Sequence, residues 1–198
     1  MKGYLSIGKS TGLLEARFGL YSTDEGKEVV PMTYQLFGAI TPDWFVFSEG
    51  NSPQLTVHFM GNQGPVPAVG VMDKSGKPLI TPSTFTSVRL DASGRFFQTL
   101  DGISKDAKAG LYDLTGKPVI AQEWQRLDVD TRTGVIKGYE VVADGSERGA
   151  EQLRALYDLQ GKSLLKIKTT ACGAQQAVNG AGKVIWPEKP ENYCPESK

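Results

Sequence analysis

The chain predicts an all-β protein made of tandem antiparallel β-hairpin repeats, about four and a half units in a curved array, partial propeller or barrel-like sheet. Two observations predict it. A short segment recurs along the chain, and the 198 residues include 23 Gly and 11 Pro, well above the ordinary share of turn-forming residues, roughly 12%.

The three clearest copies are Gly70 to Ile80 (GVMDKSGKPLI), Gly110 to Ile120 (GLYDLTGKPVI) and Ala155 to Leu165 (ALYDLQGKSLL), which match position by position. A copy at Gly19 to Val30 carries one extra residue before its Gly-Lys, and one at Ala177 to Trp186 is shortened. The Gly of Gly-Lys stands at 26, 76, 116, 161 and 182. Units therefore run near 19–69, 70–109, 110–154 and 155–176, then a short terminal unit 177–187 and a tail 188–198, all in a single domain 1–198.

Each copy reads as a hairpin. Leu111 and Val119-Ile120 flank a segment whose Asp113 can bond the backbone ahead and whose Gly116 can take the left-handed conformation that closes a tight turn. The lysine after each Gly is a solvated turn residue, and Pro78 and Pro118 follow the turn at strand positions that can spare an N–H. Past the turn comes an aromatic with an apolar partner three residues on: Tyr34 with Phe37, Phe85 with Val88, Trp124 with Leu127. Next come short apolar stretches at Trp44 to Phe47, Phe96 to Leu100 and Tyr139 to Val142. Loops of unequal length lead to the next copy. Tyr21, Met72, Tyr112 and Tyr157 share one repeat position and are expected to stack as a ladder between units.

This pattern, with Phe47-Ser48-Glu49-Gly50, resembles the bacterial WG-repeat proteins over about residues 19 to 187. Phe18, Val69 and Ala109 stand where that family carries the Trp of its Trp-Gly pair. The resemblance implies a β-repeat scaffold for contacts with proteins or envelope components, and no common chemistry.

The residues themselves point the same way. With 22 Lys+Arg against 22 Asp+Glu the net charge is zero, which argues against a nucleic-acid or anionic-membrane partner. No apolar run approaches the ~20 residues of a membrane-spanning helix. Gly3 to Ser10 satisfies the phosphate-loop pattern G-x-x-x-x-G-K-[ST], but Tyr, Leu and Ile crowd its interior, and it reads instead as a hairpin turn in an edge strand. His58, the only histidine, falls on the polar side of Leu55 to Met60. No metal site, Cys-His pair or Ser-His-Asp triad can be assembled, and no cofactor is called for. Asp73, Asp113 and Asp158 recur in turns and are assigned to hydrogen bonding there.

Cys172 and Cys194 bracket a proline-containing stretch near the C-terminus. They are read as a disulfide tying down the tail, which implies a periplasmic or secreted protein whose signal was removed. Two unrelated reduced thiols are the other reading, and would place the chain in the cytoplasm. Trp44, Phe45, Met60, Phe96 and Phe97 break the repeat pattern and form the expected partner surface. The function expected is a noncatalytic protein-binding module of the bacterial envelope, in one form an inhibitor or immunity protein against a secreted toxin. The alternative is a carboxylate-dependent glycan-acting enzyme, or a glycan-binding protein, on a β scaffold.

Overall fold

The computed structural model describes residues 3–10, 16–50, 54–59, 62–102, 106–142, 149–170, 172–187 and 189. Among them the regular structure is all strand: β1 (Tyr4–Ser10), β2 (Ala16–Ser22), β3 (Lys27–Tyr34), β4 (Leu36–Ala39), β5 (Trp44–Ser48), β6 (Gln54–Phe59), β7 (Asn62–Pro67), β8 (Gly70–Asp73), β9 (Pro78–Ile80), β10 (Ser87–Leu90), β11 (Phe96–Leu100), β12 (Ala109–Asp113), β13 (Pro118–Trp124), β14 (Arg126–Asp130), β15 (Val135–Val142), β16 (Ala150–Asp158), β17 (Ser163–Thr169), β18 (Gln175–Asn179) and β19 (Val184–Trp186). Among the described residues no helix is long and apolar enough to cross a membrane. The chain divides into two compact units, Met1–Gln122 and Glu123–Lys198, a boundary that the repeat spacing does not mark.

In the first unit the sheets run β1-β2-β3, β4-β5-β8-β9 and β10-β11-β12-β13, with β6-β7 a separate two-stranded ribbon. The second unit holds the six-stranded β14-β15-β16-β17-β18-β19. The strand pairs whose register is defined are antiparallel. None of these sheets closes on itself, so the barrel-like form expected from sequence is not what these strands make: β14 and β19 lie at opposite edges of theirs. In both four-stranded sheets the Asp-x-x-Gly-Lys segment joins the third strand to the fourth, and the first two strands come from the apolar stretches that precede it.

The sheet β4-β5-β8-β9 is a wall between two cores, because strand alternation sends neighbouring residues to opposite faces. Phe45, Phe47 and Met72 join Leu20, Val30 and Phe37 on one side. Val71 and Ile80 join Val69, Phe85, Val88 and Phe97 on the other, with Trp44 and Val46 packed against them. Antiparallel sheets commonly leave one face in water, whereas this one is covered on both. In the second unit, register aligns Leu127, Gly138 and Ala155 in one row and Val129, Ile136 and Tyr157 in the next. Leu127, Ile136, Ala155 and Tyr157 are buried together with Val178 of β18.

Candidate functional site

The repeated turns come first, since they hold the recurring carboxylates. Asp73 Oδ1 accepts from the Ser75 amide (2.8 Å), the Ser75 hydroxyl (2.6 Å) and the Lys77 amide (3.1 Å). Asp113 Oδ1 does the same with Thr115 (2.9 and 2.6 Å) and Lys117 (2.9 Å). Asp158 accepts from the Gln160 and Lys162 amides at 3.0 and 2.8 Å. In the shortened copy Asn179 replaces the Asp and accepts from Ala181 and Lys183 at 3.0 and 2.9 Å. Gly76, Gly116, Gly161 and Gly182 close these turns at φ 85, 87, 82 and 81°. The turn bonding expected of Asp73, Asp113 and Asp158 is present, and in each it is made by Oδ1.

The aromatic surface expected from sequence is corrected. Phe45 is 3% exposed, Phe96 5% and Phe97 0%; Trp44 is half-buried. Phe45 stacks on Phe37 at 5.3 Å, and Trp44 meets the edge of Phe97 at 5.5 Å. The doublet Trp44-Phe45 breaks the repeat pattern because its two rings enter the two cores that the sheet separates. Met60 lies outside the described residues, as do the side chain of His58 and all of Cys194. His58 itself sits on β6 opposite Gln63.

The expected ladder also resolves differently. Met72 belongs to one core of the first unit and Tyr112 packs against the other, so the shared repeat position does not form one stack. Tyr112 instead receives Phe85, edge to face at 5.6 Å. Tyr157 receives Trp124 at 6.3 Å, and the Trp124 indole N–H donates to its hydroxyl at 3.1 Å. In both couples the aromatic that follows one Gly-Lys turn packs on the tyrosine that opens the next copy, a pairing visible in the spacing once both positions are aligned. Gly3 to Ser10 is likewise neither phosphate loop nor turn. Gly8 and Lys9 lie inside β1, paired with Phe18 and Arg17 of β2.

In the first unit an open cleft of about 450 Å³ is lined by Tyr4, Glu25, Lys27, Glu28, Val29, Lys74 and Ser75. Its lysines are in ion pairs, Lys27 with Glu25 and Lys74 with Asp43, each at 2.7 Å. These hydrogen bonds, and then the partner charges, raise both ammonium pKa values, so neither is a base or nucleophile near neutral pH. In the second unit β16 carries one extra residue between the pairs Gly138–Ala155 and Tyr139–Leu153, and this bulge residue is Arg154, only 9% exposed. Its Nε lies 3.2 Å from the Glu140 carboxylate, and its buried Nη1 has no hydrogen-bond partner among the described residues. From the neighbouring strand β14, Arg126 lies over the Tyr139 ring, 4.4 Å from its centre, and pairs with Glu151 of β16. Sequence inspection missed Arg154, since a bulge leaves no mark in the repeat.

The remaining protonation shifts run in one sense. Burial pulls the Asp73 and Asp113 carboxyls up, but the hydroxyl and amide donors of their turns and the following lysine outweigh it and hold both low. The Lys137 ammonium, with Thr133, holds Asp130 at about 2. Burial raises the phenols of Tyr34, Tyr112 and Tyr157. Every resolved shift thus moves a group away from neutrality, whereas acid–base catalysis needs one brought toward it. Among the described residues no three His, Cys, Asp or Glu side chains gather to hold a metal ion. Compared with known proteins, the chain matches no family model and no curated protein.

Proposed function

We propose that the chain is a noncatalytic protein-binding module of the bacterial envelope, its hairpins tandem copies of a WG-type repeat. The recurring turn bonds and the couples Phe85–Tyr112 and Trp124–Tyr157 support the repeat, because the same contacts link successive copies. The binding role comes with the WG-repeat resemblance, whose scaffolds contact proteins or envelope components, and the groups whose protonation is shifted, all held away from neutrality, offer no poised acid or base against it. The partner is another protein, and neutralising a secreted toxin as inhibitor or immunity protein is the form of this reading we favour. A Cys172–Cys194 disulfide and a periplasmic or secreted location belong to the same proposal.

Cross-linking in cells of the native strain, followed by identification of the captured protein and reconstitution from purified components, tests this. The expected outcome is one protein that forms a stoichiometric complex. No captured protein, together with turnover of a polysaccharide lost on replacing a single carboxylate, would instead make the chain a glycan-acting enzyme.

A further inference from the structure

In four copies the apolar residue that follows the turn Gly at the fourth place is paired with an apolar residue of the strand before the turn: Val30 with Leu20, Ile80 with Val71, Leu165 with Leu156 and Trp186 with Ala177. In the first unit the sheet of the following copy covers these pairs. Leu20 and Val30 share a core with Phe45, Phe47 and Met72, and Val71 and Ile80 share one with Val88 and Phe97. In the second unit the same positions are open: Leu156, Leu165 and Ala177 are half-buried and Trp186 is 63% exposed. Register and strand alternation put these four, with Ile167, on one face of β16 to β19. The first copy is open in the opposite sense. Met72 and Tyr112 share the repeat position that packs back on the preceding copy, against Leu20 and Val30 in one case and Phe85 in the other. Tyr21 holds that position in the first copy and is half-buried, and register sets it beside Leu5 of β1, which is 56% exposed. The large hydrophobics exposed among the described residues are Leu5 in β1 and Leu164, Ile185 and Trp186 in the last two copies.

We propose that the chain associates head to tail with a second copy of itself, the Leu5–Tyr21 face of β1-β2-β3 in one copy covering the Leu165–Trp186 face of β16 to β19 in the other. This goes beyond the protein-binding role and rests only on the tandem-copy part of that reading. Continuity with the contact between copies selects the occupant. What covers each such pair in the first unit is the sheet of a following copy, which turns the Met72 or Tyr112 position toward it. The sheet whose residue at that position, Tyr21, has no earlier copy to pack on is the chain's own first. Stacked in this way, Tyr21 meets Trp186 as Tyr112 meets Phe85, an aromatic contact of the kind that already joins copies. Leu5 and Trp186, both more than half exposed, are the side chains that lose most contact with water. Because one face is given and a different one received, the contact is heterologous and continues past two copies, into a ring or a filament.

Sedimentation velocity of the full chain over a range of concentrations tests this. The mass is expected to rise with concentration and to pass that of a pair. Leu5→Glu removes one face and Trp186→Glu the other, so each variant alone is expected to stay monomeric where the unaltered chain associates, a loss of about tenfold or more in affinity. Mixed together, the two variants still hold one intact face of each kind and are expected to form a one-to-one pair and nothing larger. Leu5→Ser and Trp186→Ser act in the same direction more weakly, and thermal unfolding checks that all four variants fold. An unaltered chain that stays monomeric at every concentration, an association that either glutamate variant leaves intact, or a mixture of the two that fails to pair overturns the proposal. Each of those results leaves the protein-binding reading standing, because that reading is tested by capture of a different protein, and failure of that capture in turn leaves the head-to-tail contact standing.

Discussion

Gly116 shows how much one residue can carry in these hairpins. Its φ of +87° lies in the left-handed region, and a Cβ built there would stand 2.0 Å from the Leu79 carbonyl oxygen of β9. Gly94 has a comparable φ of +70° with nothing within 4 Å of its Cβ position. The pair separates backbone strain from steric overlap. Gly94→Ala is expected to cost about 1 kcal/mol, the left-handed penalty alone, and Gly116→Ala at least twice that, because β9 must also shift. Urea denaturation of the two variants checks this, and equal losses would mean that the turn moves away from Leu79 at no cost. The left-handed requirement at Gly116 was legible in sequence, since Asp-x-x-Gly is local chemistry. The approach to Leu79, from the preceding copy, was not.

At the scale of elements the same contrast recurs. Hairpin positions followed from residues that act within five positions of one another, as the Asp73, Asp113 and Asp158 turns show. Trp44-Phe45 was misread because the four successive apolar residues Trp44 to Phe47 do not reveal that each face of their strand has its own cover. That information lies in Leu20 and Val30 on one side and Phe85 and Val88 on the other, all distant in sequence. The couples that join copies are likewise non-local, and they are where strands gain cohesion beyond their hydrogen bonds. Tyr157→Phe keeps the ring contact and deletes the acceptor of the buried Trp124 N–H. A loss of ~1–3 kcal/mol is expected, the penalty of an unsatisfied buried donor. A denaturation midpoint unchanged by Tyr157→Phe would show that the indole finds another acceptor and that packing alone joins the two elements.

For the whole molecule, charge is the property that sequence totals misrepresent. Zero net charge argued against an electrostatic partner, yet the charge is unevenly spread: residues 159–187 hold four lysines and no Asp or Glu, a stretch that the strand assignment places in β17, β18 and β19 and the turns before them. The turn carboxylates also set how the fold responds to pH. Asp130, at about 2 against an ordinary 3.8, and Asp73 and Asp113, also lowered, bind fewer protons folded than unfolded. Their contribution is therefore present above the unfolded value and lost as pH falls through the folded one. Burial raises Tyr34, Tyr112 and Tyr157 above 10, so their contribution is present at neutrality and fades as pH climbs beyond that. Stability should accordingly be flat through neutrality, fall between about pH 4 and 2, and fall again above about pH 10. Asp113→Asn retains a side-chain acceptor for the turn, as Asn179 does in the shortened copy, but removes the titration. Urea midpoints measured across pH should show a shallower acid limb for Asp113→Asn than for the unaltered chain, with the alkaline limb unchanged. An acid limb of the same steepness in Asp113→Asn would mean that Asp113 binds as many protons folded as unfolded, and that other carboxylates set the acid limit of this fold.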